Sequence, residues 1–227
     1  NPPPPRGRYC VAFDPLDGSS NIDCNVSVGT IFGVYEKKKD KADTADILRH
    51  GDDMLCAGYC VYSSAVELVF AFKGHPVCCF CLDPSIGEFV NTRTMRIPEG
   101  GGKTIYSCNE GNSANWDQSK GYSARYVGSM VADVHRTLLY GGVFLYPADK
   151  KSKKGKLRIL YEGFPMAMLI EQCGGVASTG LFQGSVGRIL DVVPEHIHDR
   201  CPIIMGANRD VDIVMGFYEK HGVAVPK

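Results

Sequence analysis

Two carboxylates, Asp14 and Asp17, stand three residues apart around Pro15-Leu16, and Gly18-Ser19-Ser20 follow at once. Hard cations such as Mg²⁺ take oxygen ligands, commonly one or two carboxylates together with a substrate's phosphates. Both aspartates on one tight turn, with the Leu16 carbonyl between them, could supply such a set. The N–H groups of a Gly-Ser-Ser run can face a phosphate, as backbone nests and helix N-termini do. A metal site beside a phosphate site suggests metal-assisted phosphoryl transfer. The same residues also suit an ordinary turn, which Asp, Pro, Gly and Ser favour for conformational reasons of their own.

The second half adds weaker candidates. Arg158 and Glu162 are four apart, and on one helix they would share a face. One reading is a plain i,i+4 ion pair; the other makes Glu162 a third metal carboxylate and Lys156 and Arg158 phosphate-binding cations. Arg125-Tyr126 and Gly128-Ser129-Met130 combine a guanidinium, a phenol and a flexible turn. Tyr146, before Pro147, either reaches a phosphate or caps the core. His196 and His198 read as surface residues, and His135 as a packed structural histidine.

These residues need elements to hold them. The run Tyr9–Phe13 reads as a buried strand that ends at Asp14, because Pro15 cannot extend a central strand. Gly18 permits backbone geometry that a Cβ would forbid. Ser27–Tyr35 reads as a strand and the charged Glu36–Arg49 as a solvated loop. Leu55–Tyr62, Val66–Phe72, Val77–Leu82 and Gly87–Asn91 form an antiparallel meander punctuated by turn residues. Ile97–Gly102 is the best linker, which divides the chain into 1–98 and 103–227. Beyond it come a strand at Lys103–Ser107, a mobile polar stretch at Glu110–Lys120, a helix at Val131–Tyr140 stopped by Gly141-Gly142, and a strand at Val143–Tyr146. Leu157–Cys173 reads as one helix kinked near Tyr161 by Pro165. Val176–Ser178 and Arg188–Val192 read as short strands, and Asp210–His221 as a last helix with Val211, Val214, Met215 and Tyr218 on one stripe. The fold class is α+β, with a mostly antiparallel first half and a mixed sheet with helices in the second.

Composition narrows the function classes. The 227 residues are 44% hydrophobic and 22% charged, with zero net charge and a pI near 7.1. That balance gives no general affinity for nucleic acid or an anionic membrane. No apolar run approaches the roughly 20 residues of a membrane span, and no signal-peptide pattern opens the chain. Ten cysteines, several in strand-like runs, suit a reducing cytoplasm with free thiols. Cys78-Cys79-Phe80-Cys81 lacks the spacing of a zinc site.

The segment Asp14-Pro-Leu-Asp-Gly-Ser-Ser-Asn-Ile-Asp23 resembles the metal-binding signature of the fructose-1,6-bisphosphatase family, within the lithium-sensitive phosphatases. Further blocks resemble it in order: Ser27–Gly33, Leu82–Phe89, Ser123–His135, Gly155–Glu162 with Pro165-Met166, and Leu190–Pro194. The resemblance implies a layered α-β-α-β-α sugar-phosphatase fold whose N-terminal portion is absent from this chain. It implies hydrolysis of the 1-phosphate of fructose 1,6-bisphosphate; sedoheptulose 1,7-bisphosphate hydrolysis, or a sugar-phosphate sensor without turnover, are the alternatives. Asp14, Asp17, Glu162 and the Leu16 carbonyl would bind two or more Mg²⁺, with Mn²⁺ or Zn²⁺ as substitutes. Gly18, Ser19 and Ser20 would hold the 1-phosphate; Asn109, Tyr126, Tyr146 and Lys156 the 6-phosphate, with Arg125 given by a neighbouring subunit of a homotetramer. Met130, Lys156 and Arg158 would line the sugar and metal edge. The chain departs from the family in lacking an upstream glutamate pair and the AMP site, in placing Asn112 where the family has tyrosine, and in a shorter loop between Asp117 and Gly121.

Overall fold

A computed structural model describes residues 7–38, 43–110 and 122–225. Its first sheet has six strands in sequence order: β1 (Tyr9–Asp17), β2 (Val28–Glu36), β3 (Met54–Tyr62), β4 (Val66–Phe72), β5 (Val77–Asp83) and β6 (Glu88–Met95). Every neighbouring pair is antiparallel. This is the meander that the alternating apolar runs and turn residues demand. The α+β class holds. Residue 112 and the 117–121 loop, where the resemblance is expected to break, and most of the polar stretch at 110–120 lie outside the described residues.

The second sheet is mixed. Its strands are β7 (Ile105–Cys108), β8 (Ser123–Ala124), β9 (Val143–Tyr146), β11 (Val176–Phe182), β12 (Ser185–Arg188) and β14 (Ile203–Gly206). They run in the order β12-β11-β14-β9-β7-β8, and β7 pairs in parallel with both β8 and β9. A short ladder joins β10 (Leu157–Arg158) to β13 (Arg200–Cys201). Helices α1 (Met130–Tyr140) and α2 (Phe164–Gln172) lie between the two sheets. One apolar core includes Ile31, Tyr59 and Val69 of the first sheet, Leu138 and Leu169 of the helices, and Phe144 and Met205 of the second sheet. Helix α3 (Asn208–Lys220) covers a smaller cluster, where Val211, Val214, Met215 and Tyr218 meet Val143 and Ile204. Its apolar stripe therefore does what its spacing predicts.

Four local expectations change. First, β1 continues through Pro15 to Asp17, with a register shift between Asp14 and Asp17. It is an edge strand, where proline is tolerated because no ladder partner needs its N–H. Second, β1 is not buried: Tyr9, Val11 and Phe13 are each more than half exposed, and only the alternate residues turn inward. Third, residues 157–173 are not one helix. Leu157 and Arg158 are strand, Ile159–Gly163 forms a π-turn, and the α-helix begins at Phe164. Pro165 then sits in the first turn of α2, where its missing N–H costs nothing. Fourth, residues 189–191 form a 3₁₀ turn and the strand before them is Ser185–Arg188.

The cysteines are free, as their scatter through strands suggests, with Cys56, Cys79, Cys108, Cys173 and Cys201 buried. His196 and His198 are exposed, and His135 packs inside.

Candidate metal and phosphate site

The bulge in β1 is what makes the site. Asp14 pairs opposite Ile31 and Asp17 opposite Gly29, so two β1 residues, Pro15 and Leu16, stand where β2 has Thr30 alone. A bulge bends its strand and re-aims side chains. Here the regular alternation would send Asp14 and Asp17 to opposite faces; the extra residue brings both to one pocket. The Asp14 carboxylate accepts the Leu16 N–H at 3.0 Å, an Asx-type bond that closes the turn. Thr30 donates its hydroxyl to the Pro15 carbonyl at 2.9 Å and holds the bulge to β2.

At Gly18 the chain turns with φ +78°. A Cβ there would stand 2.6 Å from the Ser129 hydroxyl oxygen, so the close approach of the two segments requires glycine. A 3₁₀ turn, Ser19–Cys24, follows. The Asn21 N–H closes onto the Gly18 carbonyl at 2.9 Å, which leaves Ser19 and Ser20 at the open N-terminal end, beside the carboxylates.

Asp17 is buried and held from across the chain. Its carboxylate accepts the Val131 N–H at 2.8 Å, in the first turn of α1, and faces the Ser129 hydroxyl at 3.4 Å. The N-terminal end of a helix favours an anion. Burial nevertheless wins: it pushes Asp17 up to about 6, and the Asp14 charge adds to the rise. Glu162 enters from the π-turn and is equally buried. Its carboxylate accepts the Arg158 backbone N–H. The backbone of Arg158 meets Glu162, so the i,i+4 ion pair of a continuous helix is not what the chain forms. Burial pushes Glu162 up to about 7, with Asp17 and Asp14 contributing.

One oxygen from each of Asp14, Asp17 and Glu162 lies within 4.8 Å of the others. Among the described residues no other group of three acidic, histidine or cysteine side chains meets that condition. Three carboxylates at this spacing, two of them destabilised as anions by burial, fit a divalent cation: a bound positive charge would favour ionised forms that the protein alone disfavours.

The carboxylates line a pocket of about 330 Å³ with Leu16, Gly18, Ser19, Ser20, Tyr126, Met130 and Tyr146. So eleven of the residues singled out in the sequence share one cavity: these seven, Gly128, and Asp14, Asp17 and Glu162. Asn109, Arg125, Lys156 and Arg158 do not wall it. Arg125 is exposed and donates to the Ala124 carbonyl at 2.8 Å. Lys156 is exposed, while Arg158 is half-buried with its Nε sealed from solvent and unpaired. Burial raises the Tyr126 phenol to about 12, so near neutral pH it is an O–H donor.

The sequence reading missed Asp133, which also lines the pocket and is fully buried. Its carboxylate accepts the Val127 and Gly128 N–H groups at 3.0 Å each, the Ser107 hydroxyl at 2.6 Å and the Arg136 guanidinium at 2.8 Å. It thus fixes the loop that carries Tyr126 and Ser129. Asn21 ties the 3₁₀ turn to the same loop by donating to the Gly128 carbonyl at 3.0 Å. An acidic residue in the first turn of a helix was visible as Asp133 of Met130–Tyr140, but that signal alone reads as an ordinary helix-dipole partner.

Comparison with known proteins agrees with this architecture. The family model described as "Fructose-1-6-bisphosphatase, N-terminal domain" matches residues 2–94, and that for the C-terminal domain matches residues 97–219. Cytosolic fructose-1,6-bisphosphatase of Arabidopsis thaliana is 54% identical over 95% of this chain and 66% of its own length. The Oryza coarctata protein of the same name is 54% identical over 94% of the chain and 64% of its own length. The chain therefore spans a little less than two thirds of these relatives. Crystal structures of Leishmania major fructose-1,6-bisphosphatase superpose with TM-scores of 0.84 for the apo form and 0.85 for the T-state. They share 46% and 47% identity over 94% and 95% of the chain, and the matched region covers 73% and 71% of those structures. With both halves matched, in order, around a bulge that gathers Asp14, Asp17 and Glu162, the chain belongs to the fructose-1,6-bisphosphatase family.

Proposed function

We propose that this chain carries the metal-dependent phosphatase site of a sugar bisphosphatase, acting on fructose 1,6-bisphosphate to release the 1-phosphate. The observation that carries the reading is the meeting of Asp14, Asp17 and Glu162 oxygens within 4.8 Å, in a pocket that the adjoining Gly18-Ser19-Ser20 turn also lines. Mg²⁺ suits an all-oxygen set completed by substrate phosphate. When bound, the cation supplies charge neutralisation of the phosphoryl oxygens and of attacking and leaving groups.

The chain's own residues position and neutralise. Asp17 is fixed by the Val131 N–H and Asp14 by its own turn. The Gly18–Ser20 turn offers backbone N–H and hydroxyl donors to the reacting phosphate. Tyr126 and Tyr146 also line the pocket, and we assign their phenols to the distal phosphate. Asn109, Arg125, Lys156 and Arg158 are not among the residues that line the pocket; by the family resemblance we assign them to the distal phosphate and the sugar, with Arg125 reaching a neighbouring subunit of a homo-oligomer. Such positioning is most of what phosphoryl transfer asks of a protein. The names of the plant relatives support a cytosolic setting, and the separate matches at 2–94 and 97–219 support a division near residues 98–103.

The test is inorganic phosphate release from fructose 1,6-bisphosphate, with Mg²⁺ and with EDTA. Mg²⁺-dependent release that Glu162→Gln abolishes is the expected result. Binding of the sugar bisphosphate without any release, in the presence of Mg²⁺, would replace the enzyme by a sugar-phosphate sensor.

A further inference from the structure

A second polar network, which the proposed chemistry does not use, joins α1 to the first sheet. His135 lies on α1, one turn after Val131. Its Nδ1 meets the Tyr59 hydroxyl at 2.7 Å and its Nε2 meets the Glu67 carboxylate at 2.9 Å. The other Glu67 oxygen accepts from Arg93 at 2.5 Å. The chain of contacts thus links β3, β4 and β6 to the helix that holds Asp17.

The tautomer follows from the partners. Tyr59 is fully buried, and burial drives its phenol well above the ordinary range. It stays an O–H donor, and among the described residues its acceptor is Nδ1 of His135. The imidazole proton then sits on Nε2 and is donated to Glu67. A doubly protonated ring would leave the buried Tyr59 hydroxyl without an acceptor. Burial also lowers the His135 pKa, against the pull of Glu67. Neutral His135 between a phenol donor and a carboxylate acceptor satisfies every polar atom of the set.

The helix has only a narrow seat. A Cβ on Gly29 would lie 2.9 Å from Val131, so α1 presses directly on the β2 backbone at that point. At the other end of the same turn His135 is the strut that sets its rotation. The N–H that holds Asp17 belongs to Val131 itself, at the first of these fixings and one turn before the second.

We propose that Glu67 is a positioning residue for the candidate metal site: acting through His135, it fixes the rotation of α1 and with it the Val131 N–H that orients Asp17. This rests on the metal-site reading above. Glu67→Leu would leave the buried Nε2–H unpaired, and the ring must move to find a partner. Glu67→Gln keeps one acceptor oxygen for the buried His135 Nε2–H and gives up the Arg93 contact, which is partly exposed and can turn to solvent, so it should keep the His135 arrangement.

The experiment compares wild type, Glu67→Leu and Glu67→Gln as the full chain. Imidazole ¹⁵N spectra read the His135 tautomer, hydrogen exchange reads the Val131 amide, and electron paramagnetic resonance reads Mn²⁺ binding. Wild type and Glu67→Gln should show the Nε2–H tautomer and slow Val131 exchange. Glu67→Leu should exchange Val131 about tenfold faster and bind Mn²⁺ about fivefold more weakly, less than the roughly 10–100-fold typical of direct partners of metal ligands. A Glu67→Leu chain that melts earlier, yet keeps wild-type Val131 exchange and Mn²⁺ affinity, would overturn the proposal and leave the network as support for the fold. Wild type that takes no Mn²⁺ would remove the metal reading alone, since the Val131 exchange still decides whether Glu67 sets the helix.

Discussion

Asp17→Asn should stabilise the protein when metal is stripped and cripple it when metal is needed. Burial raises the folded Asp17 carboxyl from 3.8 to about 6. Its folded form therefore holds a proton more firmly than its unfolded form, and stability falls as pH rises from about 4 to 6. Above the folded pKa the full cost of the buried charge is present; the 2.2-unit difference between 3.8 and about 6 is worth about 3 kcal/mol at 1.36 kcal/mol per unit. Asparagine removes that charge and keeps an oxygen for the Val131 N–H. In EDTA at pH 8, Asp17→Asn should thus gain up to about 3 kcal/mol over wild type. At pH 4, where the folded carboxyl is protonated and the unfolded one roughly half so, the gain should shrink to about 0.5 kcal/mol. Urea unfolding at the two pH values, followed by circular dichroism, measures both. Added Mg²⁺ should reverse the order at pH 8, because it stabilises the wild type alone. A variant that is less stable than wild type in EDTA at pH 8, or equally improved at pH 4, would refute the claim that burial of an uncompensated charge governs this carboxylate.

Three further outcomes follow from the same geometry. Mg²⁺ affinity, by isothermal titration calorimetry, should rise with pH through about 6 to 7, because Asp17 and Glu162 titrate there and must lose protons to ligate; a flat profile between pH 5 and 7 contradicts the raised values. Gly18→Ala should cost about 1–2 kcal/mol for a left-handed residue, in addition to the 2.6 Å approach to Ser129, and should lower phosphate release more than it lowers the melting temperature would suggest; near-normal kcat would show that the turn has slack. Asp133→Ala should cost about 3–5 kcal/mol in denaturant unfolding, as does breaking a buried ion pair, since it strands Arg136, Ser107 and two backbone N–H groups; a loss under 1 kcal/mol would mean that water replaces the carboxylate.

The readable parts of this chain were those where local chemistry and fold agree. The meander at residues 54–95 carries its own period and turns, and Gly18 and Gly141 announce their positive φ by residue type. Asp14, Asp17 and the Gly-Ser-Ser turn were legible because ligands and turn are contiguous. What failed was non-local. Nothing in Tyr9–Phe13 says that β1 is an edge, and only its place in the sheet explains why Pro15 does not end it. β14, the central strand of the second sheet, was passed over because Cys201-Pro202 breaks the pattern just before four buried residues, Ile203–Gly206. The role of Asp133 depends on a loop that folds back over it, and its type alone promises only a helix dipole partner. Arg158 and Glu162 show the same limit: a spacing of four predicts a shared helical face, but strand pairing with β13 takes Arg158 out of the helix.

The five-residue π-turn at Ile159–Gly163 behaves as a one-residue insertion in a helix. Each residue of an α-helix turns the chain by about 100°, so a single deletion there would let the segment relax to regular α geometry while swinging Glu162 about a quarter-turn around the axis. Ile159 and Leu160 are buried in the same turn, so they would turn with it and the deletion would cost stability as well as the ligand. The length of this turn, and not only the identity of its residues, therefore sets where the third carboxylate points.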